Sequence, residues 1–214
     1  MKQAETVVLL HGLARNAGSM NKLASALENE GYHVVNVDYP STKHDIESLV
    51  DIAIQKTIEK QAPDSKVHFV THSMGGILVR KFLQDNELEN LGRVVMLGPP
   101  NQGSEVVDAL NTLPGFKTIN GPAGLQLSAS ENGLPAQLGP ANFELGIIAG
   151  SRSINLILST MLPMPNDGKV SVESSKLEGM ADHVTLPVTH TFMMRNQKVI
   201  EQVLCFLQSG KFVH

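Results

Sequence analysis

The chain predicts an α/β fold: a mostly parallel, six-stranded sheet with helices on both faces. Three observations carry this. Short apolar runs without polar alternation recur along the chain, as in strands buried on both faces. Stretches with apolar residues at helical spacing lie between them. One run, Val67-His68-Phe69-Val70-Thr71-His72, passes through Ser73-Met74-Gly75-Gly76 directly into an apolar helical pattern.

Thr6 to Leu10 is the first strand and ends at His11-Gly12-Leu13. Ala17 to Glu30 reads as a helix with Leu23, Ala24 and Leu27 inward and Gly31 as its stop. His33 to Asp38 is the second strand. Asp45 to Gln61 is the strongest helical pattern, with Ile46, Leu49, Val50, Ala53, Ile54 and Ile58 on one face. Val67 to His72 and Gly75 to Gln84 are the third strand and its helix. Arg93 to Leu97, Leu145 to Ala149 and His183 to Val188 are the remaining strands, and Asn196 to Gln208 is the last helix, capped by Gly210.

Two excursions interrupt the alternation and are expected near the active site. Residues 103–143 begin helix-like and then become rich in Gly, Pro, Ser and Asn, while retaining Leu113, Phe116, Ile119, Leu125, Leu127, Leu134 and Leu138. Residues 151–166 carry Ile154, Leu156, Ile157, Leu158, Met161 and Leu162. Both leave the C-terminal end of a strand, where ligands bind in open α/β sheets.

At 214 residues, one domain with a full-sized core is expected. Apolar residues make up 42% and charged residues 18%, with a formal charge of −4 and no long like-charge run. Nothing in this balance points to nucleic acid or an anionic membrane surface. The lone cysteine, Cys205, excludes an internal disulfide framework and a cysteine-based metal cluster. No apolar span is long enough for an integral membrane segment, and no leader pattern opens the chain. The chain is therefore expected to be cytoplasmic, with secretion left open if a signal peptide was removed; no cofactor is implied, and no cluster has metal-ligand spacing.

The stretch around Ser73 is where chemistry is expected. A serine hydroxyl is a poor nucleophile unless held clear of its backbone beside a base. A very tight strand-to-helix turn lifts it out. The same turn points the next amide, that of Met74, and the helix N-terminus at the place where an oxyanion would form. Gly75 and Gly76 let strand and helix nearly touch.

Thr-His-Ser-Met-Gly-Gly resembles the nucleophile elbow of α/β-hydrolases, most of all the bacterial lipase and esterase branch. It departs from Gly-x-Ser-x-Gly in having Thr71 where the first glycine stands. The resemblance implies a core lacking the first two antiparallel strands and a triad in the order Ser, acid, His. His190, in the loop after the last strand, is then the base; His183 lies at the start of that strand and belongs at the opposite edge. Asp167, in Pro-Asn-Asp-Gly, is the acid that would fix the His190 tautomer. Asp182 shares the edge of His183, and Asp108 comes too early. His11-Gly12-Leu13 is similar to the His-Gly-x element of lipases, which makes the Leu13 amide the second oxyanion donor beside Met74 and gives His11 a structural role. The side chains of Leu13 and Met74 are expected to line an acyl pocket. Asp38 and Asn101 are expected to organise loops, and His72 to point away from substrate. His68 has no partner identifiable from the sequence.

These residues imply a serine hydrolase cleaving carboxylic esters through an acyl-enzyme. The expected substrate is a small-molecule ester with an apolar acyl group. Thioesterase or acyltransferase chemistry on the same triad stays open, as does a non-catalytic ligand-binding protein on this scaffold.

Overall fold

The computed structural model describes residues 5–62, 65–110, 115–154, 159–160 and 162–214. Six strands form one sheet: β1 (Thr6–Leu10), β2 (His33–Val37), β3 (Val67–His72), β4 (Leu91–Leu97), β5 (Leu145–Gly150) and β6 (Asp182–Leu186). Their order is β2-β1-β3-β4-β5-β6, and every pairing is parallel. β3 lies in the middle, with Thr71 opposite Leu10 on one side and Met96 on the other. Its C-terminal end, and hence Ser73, is flanked by the loops that leave β1 and β4.

Period-2 alternation sends neighbouring residues of each strand to opposite faces. Val8, Leu10 and Phe69 pack under α2 (Ile46–Val50) and α4 (Met74–Asp85). Val7, Leu9, Val70 and Val95 pack under α1 (Asn21–Asn29) and the last helix. In the wholly buried strands β1, β3 and β5 each large apolar side chain fully removed from water stabilises by about 1.5–3 kcal/mol, whereas the edge strands β2 and β6 are only partly buried.

The helices differ from expectation mainly at their ends. The first opens as a 3-10 turn, Ala17–Met20, before α1. Asp45 caps α2, accepting the Ser48 amide at 2.9 Å. That helix passes through a π-helical segment, Asp51–Gln55, into α3 (Lys56–Ile58), so it stops short of Gln61. β4 begins two residues earlier than its apolar run, and β6 ends at Leu186 rather than Val188. The last helix, α9 (Gln197–Ser209), is capped by Asn196 and stopped by Gly210 at φ 76°.

Among the described residues of 103–143 three helices form: α5 (Glu105–Leu110), α6 (Phe116–Gln126) and α7 (Leu134–Gln137). α6 bears on the loop after β2, where the Ala123 amide donates to His44 and Ile46 donates to Gln126. Ala123, Leu127, Leu134 and Leu138 are buried. Leu113, Leu156, Ile157, Leu158 and Met161 lie outside the described residues, as do the side chains of Phe116 and Ile119. A short α8 (Val172–Ser175) precedes β6.

The excursion is tied down by a buried cation. Arg80 of α4 donates to the carbonyls of Asn101 at 2.8 Å and Leu138 at 2.9 Å, with Pro135 and Gly139 at 3.3 Å. Burial pushes its pKa down to about 10, so it stays charged at neutral pH. Among the described residues no helix is long and apolar enough to cross a membrane.

Candidate active site

β3 ends at His72, and α4 starts at Met74. Ser73 alone makes the turn, at φ 54° and ψ −122°. A non-glycine residue held there costs on the order of 1–3 kcal/mol and persists only when its surroundings dictate it. Here the Ser73 amide donates to Leu97 at 2.9 Å, and its carbonyl accepts from Gly76 at 3.0 Å. A Cβ on Gly75 would sit 2.8 Å from the Leu10 carbonyl. One on Gly12 would sit 2.8 Å from His72 Nδ1 and 3.1 Å from Ser73 Cβ. Both glycines are therefore required by close approach. Thr71 is fully buried in the sheet, and its hydroxyl finds no partner among the described residues.

His190 and Asp167 meet. His190 Nδ1 and Asp167 Oδ2 are 2.7 Å apart, and both residues are buried. The other carboxylate oxygen accepts the amides of Lys169 at 2.9 Å and Val170 at 2.8 Å. The backbones are tied as well, with the His190 amide donating to the Asp167 carbonyl at 3.1 Å. A carboxylate accepts, so Nδ1 carries the proton and Nε2 is left with a lone pair.

Ser73 and His190 line one cleft of about 190 Å³ at the C-terminal end of the sheet. Leu13, Ser104, Val106, Val107 and Leu127 line it too, so residues from the first excursion form its apolar wall. Among the described residues the amides of Leu13 and Met74 donate to no protein oxygen. The Leu13 side chain lines the cleft as expected, whereas that of Met74 is wholly within the core.

His11 is structural. Its ring stacks on Tyr39 with centroids 4.0 Å apart, and Nδ1 bonds the Gly12 carbonyl at 2.9 Å. The Tyr39 hydroxyl donates to the His11 carbonyl. Asp38 accepts the Ala17 amide, and Asn101 donates to the Ser175 carbonyl, so both organise loops. The rejected candidates are occupied elsewhere. His183 bonds Ser175, Asp182 accepts the Phe212 amide, and Asp108 accepts from Ser128 and Ala129. His68 does have partners: Glu5 at 3.1 Å and the Arg93 amide at 2.8 Å.

His72 differs from expectation. It lines the cleft, and its ring lies 4.7 Å from that of His190. Nε2–H donates to the His190 carbonyl at 3.0 Å, and Nδ1 is buried with no partner among the described residues. Burial, and then the neighbouring His190, hold its pKa well below the ordinary value, so the ring is neutral. Two cations were also missed, Arg15 and Lys169, both at the cleft. Their signal was adjacency, since each lies two residues past a predicted site residue. Among the described residues no group of three or more His, Cys, Asp or Glu could hold a metal ion.

The architecture has close counterparts. The mature lipase BlEst2 of Bacillus licheniformis superposes with a TM-score of 0.79 at 20% identity, over 97% of this chain and 93% of that one. The phospholipase PlaB of Legionella pneumophila gives 0.77 at 17% identity, over 98% of this chain and 60% of that one. The metagenomic carboxyl esterase MGS0156 gives 0.68 at 16%, over 89% and 65%. At these identities the likeness is one of fold. No curated protein matches the sequence. The family model described as alpha/beta hydrolase fold matches residues 5–146, about two thirds of the chain. The chain belongs to the α/β-hydrolase fold family.

Proposed function

We propose that the protein is a serine hydrolase that cleaves carboxylic esters with Ser73, His190 and Asp167. The carrying observation is the pairing of a strained serine at the strand–helix apex with a histidine on the same cleft, whose Nδ1 is bonded to a buried carboxylate. In this reading His190 Nε2 takes the Ser73 proton as Oγ attacks the ester carbonyl. Asp167 holds the tautomer and stabilises the imidazolium. The amides of Leu13 and Met74 hold the oxyanion. His190 protonates the leaving alcohol, then activates the water that releases the acid. The apolar wall of Val106, Val107 and Leu127 favours an apolar acyl group. The esterase and lipase activities named for the structural neighbours agree with this assignment.

Intact mass after treatment with a fluorophosphonate tests it. One adduct is expected on the wild type, none on Ser73→Ala, and greatly slowed labelling on His190→Ala. No adduct on the wild type overturns the assignment. Adding an alcohol acceptor during turnover of para-nitrophenyl esters separates a hydrolase from an acyltransferase by the share of transfer product.

A further inference from the structure

The chain carries a formal charge of −4, yet the cleft has the opposite sign. Among the described residues, its charged lining side chains are Arg15 and Lys169, and no carboxylate lines it. Asp167 lies behind His190, with its oxygens already bonded to His190 and two amides. Neither cationic side chain has an ion pair among the described residues.

Both cations sit on fixed backbone. Arg15 follows Ala14, a non-glycine residue at φ 54° whose amide is held by Ser41 Oγ at 3.1 Å. Lys169 follows Gly168 at φ +95°, and its amide is held by Asp167. The strained Ala14 fixes where the chain goes after the Leu13 donor, as expected where backbone strain serves a site. The two cations line the same cleft. Desolvation first, and repulsion from Arg15 next, hold the Lys169 pKa below the ordinary lysine value against the opposing pull of the Asp167 carboxylate. A bound anion offsets both the desolvation and the repulsion, because it pairs with the cations and replaces lost water contacts.

We propose that Arg15 and Lys169 form an anion subsite that selects esters carrying a phosphate or carboxylate group alongside an apolar acyl chain. Val106, Val107 and Leu127 take the apolar part, and the two cations take the charge. This deepens the hydrolase reading, and its kinetic test rests on that reading.

Three esters with the same butyryl group separate the sources of charge: methyl para-butyryloxybenzoate, para-butyryloxybenzoate and para-butyryloxyphenyl phosphate. The wild type is expected to favour at least one charged ester over the neutral one in kcat/KM by about tenfold, the size of one charge-assisted contact. That ratio falls towards one in the double variant Arg15→Gln/Lys169→Gln, and falls with added salt in the wild type. Which charged ester is preferred identifies phosphate or carboxylate as the group read. Equal rates for charged and neutral esters in the wild type, or an unchanged ratio in the double variant, overturns the subsite. Calorimetry on Ser73→Ala, which binds without turning over, separates the two readings. Tighter binding of a charged ester that vanishes when both cations are replaced upholds the subsite even if Ser73 takes no fluorophosphonate. Labelled Ser73 with no charge preference in binding or rate refutes the subsite alone.

Discussion

His190 donates its Nδ1–H to Asp167 Oδ2 across 2.7 Å, while Asp167 Oδ1 is already taken by the amides of Lys169 and Val170. The two oxygens are therefore not interchangeable. One anchors the loop, and the other faces the imidazole. In Asp167→Asn the side-chain oxygen must stay with the two amides, which only donate. Its NH2 then faces His190 and forces the proton to Nε2, the wrong nitrogen for accepting from Ser73. The variant is expected to fold normally and lose about 10⁴-fold in kcat. Steady-state kinetics with a para-nitrophenyl ester checks this, and retention of more than a tenth of the activity would remove Asp167 from the assignment.

Gly98 lies directly against this pair. A Cβ there would sit 3.0 Å from Asp167 Oδ2 and 3.1 Å from His190 Nδ1, on a backbone at φ +54°. Gly98→Ala is expected to cost about 1–2 kcal/mol in stability from the left-handed backbone alone. It should also push the imidazole off line and lower kcat at least tenfold, since small misplacements of reacting groups are costly. A thermal melt beside the kinetics separates the two effects. Full activity in a folded variant would show that the pair tolerates displacement.

The scaffold was legible because strands buried on both faces leave a mostly apolar run, as β1, β3 and β5 do, whereas the edge strands β2 and β6 are only partly buried and carry polar residues. Ser73 and His190 were legible from topology, one at the apex after β3 and the other after the last strand. Asp167 needed the order implied by the resemblance, because an Asp-Gly turn alone has no distinguishing pattern. What stayed hidden depends on contacts between distant segments. Arg80 reads as a surface residue of an amphipathic helix until residues 135–139 fold back and offer it carbonyls. The cleft-side place of His72 is not legible from the sequence, because strand alternation does not reveal that it bonds the His190 carbonyl 118 positions later. Helix ends were missed where the π-helical segment at Asp51–Gln55 altered the period.

Arg80 makes a separate prediction about stability. Its guanidinium serves carbonyls of Asn101, Pro135, Leu138 and Gly139, and no carboxylate pairs with it among the described residues. Arg80→Met fills similar space but leaves buried carbonyls without donors. A loss of about 2–4 kcal/mol is expected in urea unfolding. Arg80→Lys should recover only part of it, because one ammonium cannot reach both ends of the cage. An unchanged unfolding midpoint in Arg80→Met would mean that water satisfies these carbonyls equally well.

Buried neutral histidines set the acid limit of stability. Desolvation, with His190 next, depresses the His72 pKa well below 6.5, and desolvation first also lowers those of His11, His68 and His183. In the unfolded chain these rings regain ordinary values and bind protons first. The histidines' contribution to stability is therefore full above pH 6.5 and falls as pH drops from there through the lower folded values. The depressed carboxylates, Asp45 and Asp182, start from 3.8 and act only in stronger acid. His72 alone contributes up to about 1.4 kcal/mol per pH unit within this window. Urea unfolding between about pH 7.5 and about pH 5 should show that slope in the wild type. His72→Gln keeps a side-chain donor for the His190 carbonyl and has no titrating ring, so its slope should be shallower. Parallel slopes for the two proteins would show that His72 is protonated inside the fold, and its neutral role beside His190 would have to be abandoned.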